Sequence, residues 1–177
     1  QAVHRTPTPR VGGLAIAVGI LSGALLSGDN LFAALLWSVL PIFVVGLLED
    51  LGPDTPPALR LGVASLSAVL AIFVLGVYIH RLDLAGADWL LGIPLVAMGF
   101  SVFASAGMTH AMNLVDGLNG LSSAVVVSIM GAFGYVAWAF GHPDLLFMNL
   151  TVCAAFLGFM FVTFPHGKIF LGDAGAY

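Results

Sequence analysis

Long apolar stretches separated by short polar connections run through the chain from residue 11 onward. Each stretch is close to the roughly 17–25 residues that a helix needs to cross the hydrocarbon layer of a bilayer. Among their residues, only His110 ionises readily. Because backbone groups in lipid must be hydrogen-bonded within their own segment, we predict that each stretch is a helix. The predicted spans are residues 11–28, 31–48, 61–79, 90–112, 121–140 and 145–164.

Composition places these helices in a membrane. The 177 residues are 60% hydrophobic and only 8% charged, whereas soluble domains carry about 25% charged residues. The mean hydropathy is +1.08. We therefore predict an all-α, polytopic transmembrane helix bundle that forms one integral-membrane domain over residues 1–177. The chain opens with Gln1 and stops at Tyr177 inside a motif, so we expect both ends to be truncated.

Charge indicates which way the bundle faces. With six crossings, the connections alternate between two sides of the membrane. Four of the five basic residues fall on one side, and Arg81 alone falls on the other. The positive-inside rule then predicts that the first side is cytoplasmic. The net charge of −4 argues against a nucleic-acid partner. The basic residues on the predicted cytoplasmic side are Arg5, Arg10, Arg60 and Lys168.

Every distinctive polar segment lies on that predicted cytoplasmic side, at the end or the start of a span. Loop residues without a common role would not be expected to sort in this way, so we predict one shared site. The segments are His-Arg-Thr-Pro-Thr-Pro-Arg-Val-Gly-Gly at 4–13, Gly-Leu-Leu-Glu-Asp at 46–50, Asn-Leu-Val-Asp-Gly-Leu-Asn-Gly at 113–120 and Gly-Lys-Ile-Phe-Leu-Gly-Asp-Ala-Gly at 167–175.

The residue types in these segments suit phosphate chemistry. Carboxylates are the hard oxygen ligands that Mg²⁺ prefers, and Mg²⁺ completes its coordination with substrate phosphates. Basic side chains bind phosphate oxygens, and glycines let backbone amides approach an anion closely. Together they predict metal-assisted phosphoryl transfer, with a lipid phosphate as a candidate acceptor. The carboxylates are Glu49, Asp50, Asp116 and Asp173, and the basic residues are His4, Arg5, Arg10 and Lys168.

In this order and spacing, the four segments resemble the polyprenyl-phosphate N-acetylhexosamine-1-phosphate transferase superfamily (glycosyltransferase family 4). The resemblance implies transfer of a sugar 1-phosphate from a UDP-sugar to undecaprenyl phosphate at the bacterial inner membrane, with Mg²⁺ and release of UMP. It implies metal binding by Asp173 and Asp50, and catalytic roles for Glu49, Asp50 and Asp116. The implied substrate-binding residues are His4, Arg10, Asn113 and Lys168.

Two positions depart from the family pattern. Glu49 stands where the first Asp of an acidic pair is usual, and Asn119 stands where the third element usually has its second Asp. We assign no catalytic role to Asn119.

Other interpretations stay open alongside these expectations. Asp116 and Asp173 lie among glycines, where Asp often caps a turn or helix. His110 fits a packed position better than a catalytic one. A transporter and a family member that binds without turnover remain alternative functions, although a transporter should carry ionisable groups near the middle of the membrane. The sugar and the oligomeric state are not indicated by the sequence.

Overall fold

The computed structural model describes residues 9–52, 55–116, 120–165, 167 and 169–177. Within these ranges all regular structure is helical, as predicted. The helices are α1 Gly12–Ser27, α2 Asn30–Asp50, α3 Pro57–Leu75, α4 Ala87–Leu91, α5 Pro94–Val115, α6 Leu121–Ala139, α7 Pro143–Thr163 and α8 Asp173–Ala176.

Five of the described helices are long and apolar enough to cross a membrane, with 19 to 22 residues each: α2, α3, α5, α6 and α7. The first predicted span is the shorter apolar helix α1, which has 16 residues. At 1.5 Å per residue it covers about 24 Å, less than the roughly 30 Å of the hydrocarbon core. The polytopic all-helical bundle predicted from the hydrophobic pattern is confirmed.

Glycine and proline move several helix ends away from the predicted boundaries. α3 begins with Pro57 in its first turn and ends at Gly76, whose left-handed backbone (φ 66°) stops the helix. The predicted span 90–112 is divided, because Pro94 starts α5 after the short helix α4. α5 then continues to Val115, so Asn113 lies in its last turn rather than in a connection.

The helices form two groups that are joined by the short helix α8. In one group α7 packs against both α1 and α6, and in the other α3 packs against both α2 and α5. α8 contacts α1 in the first group and α2 and α5 in the second. Ala176 belongs to the buried cluster around Phe156 and Phe159, whereas Tyr177 packs against Ile42 and Ala106.

A cavity of about 510 Å³ lies between the two groups, next to α8. Apolar side chains of α1, α2, α6 and α7 line most of it, including Ile16, Phe43, Val126 and Phe156. Ala176 and Tyr177 of the α8 segment also line the cavity. Because α8 contacts both groups, its position affects the arrangement of side chains at this end of the bundle.

Candidate active site at one end of the bundle

The start of α8 is fixed by the carboxylate at the end of α2. One Asp50 oxygen accepts the backbone N–H of Asp173 at 2.8 Å, and the other accepts that of Ala174 at 3.0 Å. Asp50 thus caps a helix that lies 123 residues further along the chain. Gly172 makes room for this contact, since a Cβ there would lie 2.5 Å from an Asp50 oxygen.

Asp173 lies beside two of the predicted substrate-binding residues. Its Oδ1 accepts a hydrogen bond from Asn113 Nδ2 at 2.8 Å. Its Oδ2 lies 3.9 Å from Arg10 Nη1, in an ion pair where the Asp173 side chain is 22% exposed and that of Arg10 is 60% exposed. The structure therefore brings the described parts of the first, third and fourth motifs to one carboxylate that water can reach.

The first motif reaches this site through its backbone. Gly12 and Gly13 donate their N–H groups to the carbonyls of Phe170 and Leu171 at 3.0 and 2.8 Å, and Phe170 donates to Pro9 at 3.1 Å. Gly13 also packs directly on the backbone of the α8 segment, where a side chain would collide with main-chain atoms. The paired glycines of the motif thereby hold Arg10 near Asp173.

Asp116 directly follows α5. With Asp50 and Asp173 it forms the acidic group of the site. Its Oδ1 accepts the hydroxyl hydrogen of Ser122 at 2.6 Å. Burial raises the pKa of Asp116, and the negative charges of Asp173 and Asp50 raise it further, whereas the Ser122 hydrogen bond and the charge of Arg10 lower it. Asp116, Asp50 and Asp173 therefore share one electrostatic environment.

Glu49 is the most buried of the predicted site residues that the structure describes. Its carboxylate is paired with Arg60, whose Nε lies 2.6 Å from Oε1, and it also accepts the hydroxyl hydrogen of Thr55. The Tyr177 hydroxyl donates to Oε2 at 3.0 Å. Burial, and then the hydrogen bond and charge of Glu49, raise the pKa of Tyr177 to about 12.

Arg60, Thr55 and Tyr177 were not predicted as site residues. Charge counting put Arg60 on the same predicted side as the four motifs but gave it no partner. His110, predicted to pack rather than react, lies edge-on to the Tyr177 ring with 6.3 Å between the ring centroids. His4 and Lys168 lie outside the described residues, as do Arg5, Asn119 and His166.

The chemistry of the acidic group is compatible with Mg²⁺ in its substrate-bound mode. No cluster of three or more His, Cys, Asp or Glu ligands exists among the residues that the structure describes. Mg²⁺ commonly takes only one or two carboxylates and fills its remaining positions with water and substrate phosphates. Asp173 and Asp116 are carboxylates of this kind, and the charge of Asp173 acts on Asp116. Asp50 is already engaged by two backbone N–H groups.

Comparisons with known proteins point to one family. The family profile of Glycosyl transferase family 4 matches residues 32–177. A Bacillus subtilis protein named "Probable undecaprenyl-phosphate N-acetylglucosaminyl 1-phosphate transferase" is 33% identical over 99% of this chain and 49% of its own length. The Phospho-N-acetylmuramoyl-pentapeptide-transferase of Oceanobacillus iheyensis is 30% identical over 97% of this chain and 58% of its own length. The chain thus spans about half to three-fifths of these relatives.

Proposed function

The chain belongs to glycosyl transferase family 4, and from that premise we propose that the protein transfers an N-acetylhexosamine 1-phosphate from a UDP-sugar to undecaprenyl phosphate. One observation carries the proposal. Three carboxylates, Asp50, Asp116 and Asp173, meet Arg10 and Asn113 at one end of a membrane-spanning bundle. Such a site lies where a soluble nucleotide and a lipid phosphate can meet.

In the proposed reaction, an oxygen of the lipid phosphate attacks the phosphorus that bears the sugar. The new P–O bond forms as the bond from that phosphorus to the bridging oxygen breaks, and UMP leaves with the bonding electron pair. Positioning and charge neutralisation supply most of the catalysis in transfers of this kind. Arg10, which is largely exposed beside Asp173, is suited to contact phosphate oxygens.

The proposal includes Mg²⁺, held by Asp173 and Asp116. When bound, the ion would neutralise charge on the phosphate oxygens. Asn113 orients the Asp173 carboxylate through its 2.8 Å hydrogen bond, and Ser122 orients that of Asp116. The predicted participation of Asp50 as a ligand and of Glu49 in handling the lipid phosphate stays a prediction, and so do the substrate contacts of His4 and Lys168.

We place the site at the cytoplasmic face of the bacterial inner membrane, in synthesis of a cell-envelope lipid intermediate. The described basic residues support this orientation, because Arg10 and Arg60 lie at the end that carries the site and Arg81 lies at the other. The transporter alternative has less support. In the described spanning helices, Asp, Glu and Arg residues stand only in the first or last turn, whereas transporters place ionisable groups near the middle of the membrane.

The test uses the full-length protein in detergent or lipid with Mg²⁺, undecaprenyl phosphate and a panel of UDP-sugars, and it follows UMP release. We expect release with one N-acetylated donor, lost when the metal is chelated. Release that persists under chelation would remove Mg²⁺ from the proposal. Folded protein that releases no UMP with any donor would favour a member of the family that binds without turnover.

A further inference from the structure

The Glu49 carboxylate is held from two directions. Its side chain is only 3% exposed, and the Arg60 side chain that pairs with it is 27% exposed. Arg60 and Thr55 reach Oε1 from the start of α3, and Arg60 Nε also donates to the Thr55 hydroxyl at 3.2 Å. Tyr177 reaches Oε2 from the end of the α8 segment. A carboxylate this buried and this fully paired has little freedom to approach a substrate.

Glu49 and its neighbour Asp50 contact opposite ends of the same short segment. Asp50 accepts the two N–H groups that open α8, at Asp173 and Ala174. Glu49 accepts the hydroxyl of Tyr177, the residue that follows α8. The last two residues of α2 therefore fix Asp173–Tyr177 at both ends, and Asp173 carries the carboxylate assigned to the metal.

We propose that Glu49 is a positioning residue, which holds the Asp173 segment through Tyr177 while Arg60 balances its charge. This inference rests on the proposed function, in which Asp173 acts at the reacting phosphates. It makes Arg60 the partner of Glu49 rather than a ligand of phosphate. A shorter side chain would have to shift α2, α3 or Tyr177 to keep both contacts, which accounts for Glu at this position.

The sharpest test removes the two charges singly and together. Glu49→Gln leaves the Arg60 guanidinium without its counter-charge, and Arg60→Met leaves a buried carboxylate unpaired. Breaking a buried pair on one side is far more destabilising than replacing both partners. We expect each single variant to lower kcat by about 10- to 100-fold with little change in KM for the UDP-sugar.

The double variant separates positioning from proton transfer. If Glu49 acts by position, Glu49→Gln combined with Arg60→Met is several-fold more active than either single variant. The amide oxygen that Glu49→Gln introduces can still accept a hydrogen bond from Tyr177 in that variant. If Glu49 accepts a proton in the reaction, the double variant stays as slow as Glu49→Gln or slower. That outcome would overturn the inference.

Tyr177→Phe removes one hydroxyl and little else. We expect it to lower kcat by several-fold, because the α8 segment then keeps its contacts with Asp50 but loses its hydrogen bond to Glu49. Tyr135→Phe is the matched control, since Tyr135 is exposed on α6 and forms a ring contact with Trp138. Equal kcat values in the two variants would contradict the contact between Tyr177 and Glu49 as a positioning device.

A readout independent of turnover separates this inference from the proposed function. If the parent protein transfers no sugar phosphate, the proposed function fails. Thermal unfolding of the same variants still tests whether Glu49, Arg60 and Tyr177 hold one another in place. We expect the Tm losses of Glu49→Gln and Arg60→Met to be strongly non-additive, with the double variant more stable than Arg60→Met. Additive losses would show that the two side chains do not act together.

Discussion

The two ends of the bundle each hold an arginine–carboxylate pair at the same distance but in different surroundings. Arg60 and Glu49 lie 2.6 Å apart at the site end, with side chains that are 27% and 3% exposed. Arg81 and Asp83 also lie 2.6 Å apart, in the connection between α3 and α5, with side chains that are 70% and 75% exposed. Exposed pairs contribute about 0–1 kcal/mol, whereas a buried charge that loses its partner costs several. Burial, rather than the pairing itself, distinguishes the site end.

The ends differ also in how far their polar contacts reach along the sequence. Within the α3–α5 connection, Arg81 pairs with Asp83, and Leu82 N–H donates to Asp88. These partners are two and six residues apart. At the site end, side-chain hydrogen bonds join residues separated by 60, 123 and 128 positions. The site therefore exists only when the whole bundle is assembled. The α3–α5 connection uses shorter separations, such as the 22 residues between Ile79, which donates its N–H, and the Ser101 hydroxyl that accepts it at 2.8 Å.

The largest expected effect comes from removing the charge that the site is built to position. Asp173→Asn should lower transfer by at least about a thousandfold in the full-length protein, since a bound metal contributes several kcal/mol of charge stabilisation. The matched control is Asp83→Asn, which removes a carboxylate from the opposite end. Rates of UMP release under saturating Mg²⁺ measure both. Near-normal turnover in Asp173→Asn, with membrane insertion intact, would remove Asp173 from the mechanism.

The second effect tests whether close packing of α8 on α2 sets the geometry of the site. A Cβ at Gly46 would lie 2.7 Å from Ala174 Cα and backbone N. Gly46→Ala should therefore destabilise the protein by about 1–3 kcal/mol and lower transfer by displacing Asp173. Gly131→Ala in α6 is the control, because its added methyl meets no atom within 4 Å. A Tm for Gly46→Ala at or above that of Gly131→Ala would contradict the close contact.

Much of the architecture could be predicted because lipid leaves the backbone few choices. Apolar stretches of about 20 residues must be helices there, and the alternation of their connections predicts that the four motifs share one end. The gathering of Asp50, Asp116 and Asp173 follows from that sorting. Helix ends were less predictable, because Gly76 and Pro94 set them within apolar sequence that shows no change in hydropathy.

The contacts inside the site were not predictable by the same route. The pattern of residue types predicts which end of the bundle holds Glu49, but the partners of Glu49 are set by packing between helices that are distant in sequence. Arg60 stands in the first turn of α3 like any basic residue near a membrane surface, and the sequence pattern gave Tyr177 no role. Only the packing of α2, α3 and α8 brings the three side chains together.

A smaller effect concerns the protonation of Asp116. Burial raises its pKa, and the Ser122 hydrogen bond works against that rise by stabilising the ionised form. If the ionised carboxylate is the active form, activity is lost as the pH falls through this raised pKa. Ser122→Ala should raise the pKa further and move the acidic limb of the pH–rate profile to higher pH, with less than about a tenfold loss at neutral pH.

Ser128→Ala supplies the control for that profile. Ser128 lies on the same helix, α6, but its hydroxyl donates to the Ala124 carbonyl on an exposed surface. We expect its acidic limb to coincide with that of the parent protein. If the limb is also unmoved in Ser122→Ala, either Asp116 does not control the acidic limb or its hydrogen bond to Ser122 does not affect its titration.

The smallest expected effect tests the comparison between the two ends directly. Arg81→Met removes the exposed guanidinium that pairs with Asp83 and leaves the carboxylate in contact with water. Solvation then replaces the lost partner, so we expect a stability change below about 1 kcal/mol and unchanged transfer. Arg60→Met makes the equivalent change in the buried pair with Glu49. If Arg60→Met and Arg81→Met change the Tm and the rate of UMP release equally, burial of the Glu49–Arg60 pair does not contribute to function. The two pairs would then differ only in their location in the bundle.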